Sequence, residues 1–249
     1  MKHAKIEAFN LTDAWYKCLR KIWDEGDIEL ITDGSEVSEM KKLNVSVEII
    51  NPEIRPILSD YAPNNITYVN EYFLRYLWTN SCTEDEHYTY GSRLREPVDQ
   101  IQALIDRIVE NPKTRQLTLV VRRPEDIFKT APLIDGKQVL DQDGNPVKWE
   151  PPCLTIMDFE VMNNLIHLTG YFRSWDCYGG FPINLAGIQL LLEGICNAVN
   201  NSGSEVYGTG KQIWHCKNLH IYSRQFPFIK KFFEVKQKER NVKGWDKRE

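Results

Sequence analysis

The spacing of apolar and polar residues changes several times along the chain, and each change marks an element. In "LTDAWYKCLRKIWDEG" the residues Trp15, Cys18, Leu19, Ile22 and Trp23 recur every three to four positions. That period predicts an amphipathic helix capped by Thr12 or Asp13 and ended by Gly26. "LNVSVEII" (43–50) alternates with period two and predicts a strand with one buried face. "YVNEYFLRYLW" (68–78) predicts a helix, as does "VDQIQALIDRIVENP" (98–112), where Ile101, Leu104, Ile105 and Ile108 share a face until Asn111-Pro112 stops it. "RQLTLVVRR" (115–123) predicts a further strand.

Residues 124–150, "PEDIFKTAPLIDGKQVLDQDGNPVKWE", are rich in Pro, Gly and acidic residues and read as a loop insertion holding a small hairpin at Asp143-Gly144. "CLTIMDFEV" and "LIHLTGYF" are two strands joined by Met162-Asn163-Asn164, where Asn tolerates positive φ. Cys153 thus opens a hairpin whose far end delivers Arg173. "NLAGIQLLLEGICNAVNN" places Leu185, Ile188, Leu192, Ile195 and Val199 at helical spacing, which predicts a buried helix beginning after Pro182 with Asn184 at its mouth. The tail "KQKERNVKGWDKRE" reads as a solvated helix or frayed end.

Composition narrows the class. With 249 residues, 42% of them hydrophobic and 11% aromatic, the chain can fill the core of one domain, here taken as 1–249. A net charge of −4 and a pI near 5.8 argue against a nucleic-acid polymer or an anionic membrane as partner. Any phosphate is then held by local arginines. No run of about 18 apolar residues stands out and the N-terminus lacks a signal-peptide core, so a soluble, cytoplasmic protein is expected. The six cysteines include no C-x-x-C pair, so neither a disulfide framework nor a metal site is expected.

Chemistry concentrates in "PPCLTIMDFEVMNNLIHLTGYFRSWDCYGGFPINLAG", residues 151–187. A thiol is a nucleophile only as thiolate, which a nearby cation such as Arg173 favours. Cysteine's ordinary role is a small buried hydrophobe, and Cys18 and Cys196 fall on apolar helix faces. Arg173 and Ser174 offer the donors a phosphate needs, although Arg173 could instead pair with Asp176. Asn184 can present an acceptor and two donors to a flat heterocycle, in either amide orientation, or can cap its helix.

The order Pro-Cys, hairpin, "RSWD", then "GGFPINLAG" opening a long apolar helix resembles the thymidylate synthase family, with "NLHIYS" (218–223) similar to its His-x-Tyr motif and "YTYGSRLR" (88–95) to its Tyr-Gly segment. The resemblance runs from about residue 12 to 226. It implies one-carbon transfer to carbon 5 of a pyrimidine nucleoside monophosphate from 5,10-methylenetetrahydrofolate. By that resemblance Cys153 adds to carbon 6 of the ring, Tyr90 stands beside it, and Glu71 matches the general base. Asn184 reads the base, Arg173 and Ser174 hold the phosphate, and His220 and Tyr222 bind the sugar. Asp176 orients the folate and ordered water, and Trp78 or Trp149 walls the folate. The family is a homodimer whose phosphate arginines come from the partner subunit, a position matched by Arg115.

Departures from the family pattern also carry information. Gln116 replaces the second arginine of the pair, Leu154 follows the nucleophile where long bacterial forms have His, Phe172 precedes Arg173 where they have Gln, and Asn218 replaces an Asp. The arginine-rich phosphate loop is replaced by "ITDGSEVSEMKKL", in which Lys41 or Lys42 can supply a cation. The compact layout is closer to archaeal-type thymidylate synthases and to related nucleotide hydroxymethylases. A single α/β (α+β) domain is therefore expected, a twisted mixed sheet flanked by helices. Methylation of dUMP is the leading activity. Hydroxymethylation of dUMP, dCMP or CMP is the first alternative, and a non-catalytic nucleotide-binding homologue the second.

Overall fold

The computed structural model describes residues 2–33, 36–83, 86–127 and 151–242. Apart from a short turn over Pro124–Ile127, the insertion expected at 124–150 lies outside the described residues, and Asp143-Gly144 and Trp149 with it.

Strand β1 (His3–Ala8) leads into α1 (Leu11–Glu25), which buries Trp15, Cys18, Leu19 and Ile22 as the spacing predicts. Its cap is Asn10 rather than Thr12 or Asp13. The Asn10 side-chain oxygen accepts from the Asp13 amide at 3.0 Å, while Asp13 accepts from the Phe9 amide at 2.8 Å. Two side chains thus satisfy N–H groups at the helix start.

A hairpin of β2 (Asp27–Asp33) and β3 (Glu36–Ile49) follows, and the strand predicted at 43–50 is the second half of β3. Leu43, Val45, Val47 and Ile49 face the core. The helix predicted at 68–78 is α2 (Ile66–Tyr72), widened into a π-type turn over Phe73–Trp78. Next come α3 (Tyr90–Arg95) and α4 (Gln100–Glu110), the latter burying its four predicted apolar residues. β4 spans only Thr118–Val120, shorter than expected, because the Val121 and Arg122 amides both turn onto the Thr155 carbonyl.

β5 (Leu154–Met162) and β6 (Leu165–Phe172) form the predicted hairpin. Asn163 and Asn164 have φ of 53° and 58°, the left-handed pair that a two-residue turn of matching twist requires. The remaining elements are β7 (Trp175–Asp176), α5 (Gly180–Ser202), β8 (Gly208–Tyr222) and α6 (Phe226–Val242).

The eight strands form one sheet in the order β1-β3-β8-β6-β5-β4, with β2 on β3 and β7 on β8. β8 runs antiparallel to β3 and parallel to β6 and β7, so the sheet is mixed and flanked by helices, the expected architecture. α5 opens at Gly180, two residues before Pro182, which its first turn accommodates because the missing N–H would have no helical partner there. Contrary to the sequence expectation, α5 is long and apolar enough to cross a membrane, but 67% of its most apolar window is buried inside the fold. It is the core helix, and the segment leading into it is tied to α1 through the indole N–H of Trp15, which donates to the Cys177 carbonyl at 2.8 Å. The opposite, outer face of the sheet carries polar residues, among them Ser46, Glu48, Asp158, Thr169, Lys211 and His215.

Candidate active site

The start of β5, the end of β6, β7 and the first turns of α5 converge with α2 and α3. Cys153 stands at the entry to β5, half-buried, its carbonyl accepting from the Arg173 amide at 2.9 Å. The Arg173 guanidinium donates to the carbonyls of Pro152 at 3.0 Å and Pro151 at 2.7 Å, so it clamps the turn that presents the thiol. Prolines suit this turn because they keep the carbonyl acceptor while lacking an N–H that would need a partner. Arg173 does not pair with Asp176.

Two tyrosines flank the thiol. The Tyr90 hydroxyl accepts from the Leu154 amide at 3.5 Å, and its ring lies 6.3 Å from that of Tyr88. Tyr88 is within electrostatic reach of both Cys153 and Arg173. Burial raises the pKa of both tyrosines, so both stay protonated near neutrality. At the other thiols the thiolate is disfavoured: desolvation raises Cys18, Cys82 and Cys177, and pushes Cys196 and Cys216 up to about 12. Among the described residues none of the six cysteines is in a disulfide.

Asn184, the fifth residue of α5, has both amide atoms engaged. Its Oδ1 accepts from the Trp175 indole at 2.8 Å and its Nδ2 donates to the Tyr72 hydroxyl at 2.7 Å. It does not cap its helix, and its amide is held in one orientation rather than free to turn. Tyr72 reaches it because its ring packs on Gly187 of α5, where an added Cβ would lie 2.6 Å from a ring carbon.

Asp176 lies opposite His220 in the β7–β8 pair. Its Oδ1 accepts from the Tyr178 and Gly179 amides at 3.0 and 3.1 Å, and Gln225 donates to both oxygens, at 3.1 Å and 2.9 Å. His220 is 5% exposed, with Nδ1 3.1 Å from the Asn218 carbonyl and Nε2 3.0 Å from the Tyr222 hydroxyl. A carbonyl only accepts, so Nδ1 carries the proton and the Tyr222 hydroxyl donates to Nε2. Burial lowers the His220 pKa, which keeps the ring neutral.

The structure thus gathers Cys153, Tyr90, Arg173, Asp176, Asn184, His220 and Tyr222, with Ser174 half-buried beside Arg173. It does not gather the rest. Glu71 is on the exposed side of α2, and its neighbour Tyr72 is the residue that turns inward. Trp78 packs against Gly194, ten residues along α5 from Asn184 and so about 15 Å away at helical rise. Arg115 is exposed on the outer face, lining a cleft of about 620 Å³ with Asp158, His167 and Lys211. Lys41 donates to the Trp23 carbonyl and Lys42 pairs with Glu29. Sequence reasoning missed Tyr72, Trp175 and Gln225. The available signals were the unassigned middle position of "RSWD" and the glutamine just past the His-x-Tyr motif.

The thymidylate synthase family model matches residues 59–243. A protein named "Putative thymidylate synthase" from Methanococcoides burtonii is 34% identical over 234 residues, covering 92% of this chain and 94% of the relative. A protein of the same name from Methanosarcina acetivorans is 34% identical over 197 residues, 78% of this chain and 81% of the relative. A thymidylate synthase from Francisella tularensis is 27% identical over 170 residues, 64% of this chain and 56% of the relative.

Proposed function

This chain belongs to the thymidylate synthase family, and on that premise we propose that it transfers a one-carbon unit to carbon 5 of a pyrimidine nucleoside monophosphate, methylating dUMP to dTMP. One observation carries the reading. Cys153 is presented by a turn clamped by Arg173, beside the Tyr90 hydroxyl, in the site that also holds the Asn184 amide.

The Cys153 thiolate adds to carbon 6 of the ring, and the electron pair of the ring double bond moves toward the carbonyl at carbon 4, which makes carbon 5 nucleophilic. Asn184 hydrogen-bonds the ring edge. Arg173 keeps further N–H donors for the 5′-phosphate, with Ser174 beside it. Tyr222, oriented by His220, takes the sugar hydroxyl. 5,10-Methylenetetrahydrofolate supplies the carbon and, for methylation, a hydride. Asp176 fits it: its Oδ2 takes a hydrogen bond from Gln225 and keeps lone pairs for the N–H groups of a flat heterocycle. Loss of the carbon 5 proton lets the ring electron pair break the bond between the transferred carbon and the folate nitrogen. Addition of the hydride, or of water in hydroxymethylation, to the resulting exocyclic methylene returns an electron pair that expels the Cys153 sulfur from carbon 6. Glu71 remains the proposed base only if α2 shifts to turn it inward, and Arg115 serves the site of the second subunit in a cytoplasmic homodimer.

Hydroxymethylation is the second reading, in which water rather than hydride finishes the reaction. The distance of Trp78 from Asn184 favours it, since methylation needs a folate held against the ring with water excluded. Incubation with a panel of nucleoside monophosphates and methylenetetrahydrofolate, with both products weighed by mass spectrometry, tests the proposal. dTMP formed in step with dihydrofolate is expected. A hydroxymethylated nucleotide with tetrahydrofolate selects the second reading, and no modified nucleotide defeats both.

A further inference from the structure

Trp175 takes the unassigned position of "RSWD", and its ring is immobilised. It is 3% exposed, stacks on Phe172 with centroids 3.8 Å apart and 9° between planes, and touches Phe181 and Trp214 at 4.4 and 5.6 Å. An indole N–H only donates, and a buried one needs an acceptor. Here that acceptor is Asn184 Oδ1, at 2.8 Å.

We propose that Trp175 is a positioning residue that fixes the Asn184 amide in the orientation selecting uracil over cytosine. The inference rests on the proposed role of Asn184 in reading a pyrimidine. Turning the amide over would set Nδ2 against the indole N–H, two donors face to face. The Tyr72 hydroxyl, 2.7 Å from Nδ2, donates or accepts and so tolerates either orientation. Trp175, not Tyr72, therefore sets the direction. With one bond used at each amide atom, Asn184 keeps one lone pair and one N–H. Uracil offers a ring N–H beside a carbonyl oxygen, which match them. Cytosine offers a bare ring nitrogen beside an amino group, and that pattern needs the reversed amide. An unpaired polar group of this kind corresponds to discrimination of about tenfold or more.

Titration calorimetry with dUMP and dCMP on the full-length protein tests this through the ratio of the two affinities, which a merely structural role would leave unchanged. Wild type prefers dUMP. Trp175→Phe keeps the ring stack but loses the donor, and its preference falls about fivefold or more. Trp175→Tyr, whose hydroxyl donates or accepts, shifts the ratio the same way and serves if the first variant does not fold. Tyr72→Phe stays within about twofold of the wild-type ratio. Unchanged ratios in the Trp175 variants of a discriminating protein overturn the lock alone. A wild type that binds both nucleotides equally also overturns it. A wild type that binds neither removes the proposed function, and the lock with it.

Discussion

The mouth of α5 and the outer face of the sheet are polar surfaces built partly on the same strands, yet they are finished differently. At the mouth, Asn184, Asp176, His220 and Arg173 are each held by the chain's own indole, amide, hydroxyl or carbonyl groups. On the outer face, Lys211 pairs with Glu48 at 3.0 Å and His3, Ser46 and His215 form a short chain of 3.0 Å contacts. Arg115 stands exposed there, and His167 Nε2 is buried without a partner. A pre-organised mouth keeps its groups aimed without spending binding energy on ordering them. An exposed arginine on the outer face is what the proposed sharing of sites between two subunits requires.

The largest expected effect breaks the mouth. Cys153→Ala should remove turnover while dUMP still binds, because the proposed base and phosphate contacts lie on other residues. Activity within about tenfold of wild type contradicts the assignment. Cys196→Ala, on the apolar side of α5, keeps activity in the same assay.

Mixing tests the other half of the comparison. If Arg115 completes the site of a second subunit, Arg115→Ala and Cys153→Ala should each be inactive alone. Their hybrid regains one complete site, which gives about a quarter of wild-type activity when subunits of a two-fold dimer exchange statistically. A mixture that stays inactive after exchange is verified removes Arg115 from the partner's site.

Gly187→Ala probes how the mouth is supported. The added methyl meets the Tyr72 ring and costs about 1–3 kcal/mol, seen as a lower melting temperature. An unchanged melting temperature contradicts the close packing that brings Tyr72 to Asn184.

The smallest effect is on pH dependence. Burial holds the His220 pKa below its ordinary 6.5. The unfolded chain therefore takes up this proton at a higher pH than the folded one, and stability falls as pH drops below about 6.5 until the folded value is passed. Denaturant titrations of His220→Gln should show a shallower loss of stability over that window. Equal slopes for the two proteins contradict the neutral ring.

The parts of the fold legible in the sequence are those with local causes. α1, α4 and the Asn163-Asn164 hairpin follow from residue spacing and from residues that tolerate positive φ. β8 escaped notice because it buries Gln212, a polar residue in the midst of the sheet. That glutamine is satisfied by Gln189 at 2.7 Å and by the Trp214 indole at 2.9 Å, partners no local pattern can reveal. β2 escaped for the opposite reason, since it exposes Ile28 and Leu30. The site divides in the same way. Cys153, Arg173, Asp176 and Asn184 stand close in sequence and were legible as a motif. Tyr72 reaches Asn184 from 112 positions away, and only the packing of α2 on α5 shows it.

Covalent addition of Cys153 to the pyrimidine is the central claim, and trapping it is the most direct test. A nucleotide with fluorine at carbon 5 has no proton there to lose, so addition of the thiolate and transfer of the carbon unit leave a product that cannot be expelled. After incubation of the full-length protein with 5-fluoro-dUMP and methylenetetrahydrofolate, peptide mass mapping should find nucleotide and folate joined to Cys153, and nothing on Cys153→Ala. An unmodified Cys153 in protein shown to have bound the nucleotide, or an adduct on a different cysteine, contradicts the account.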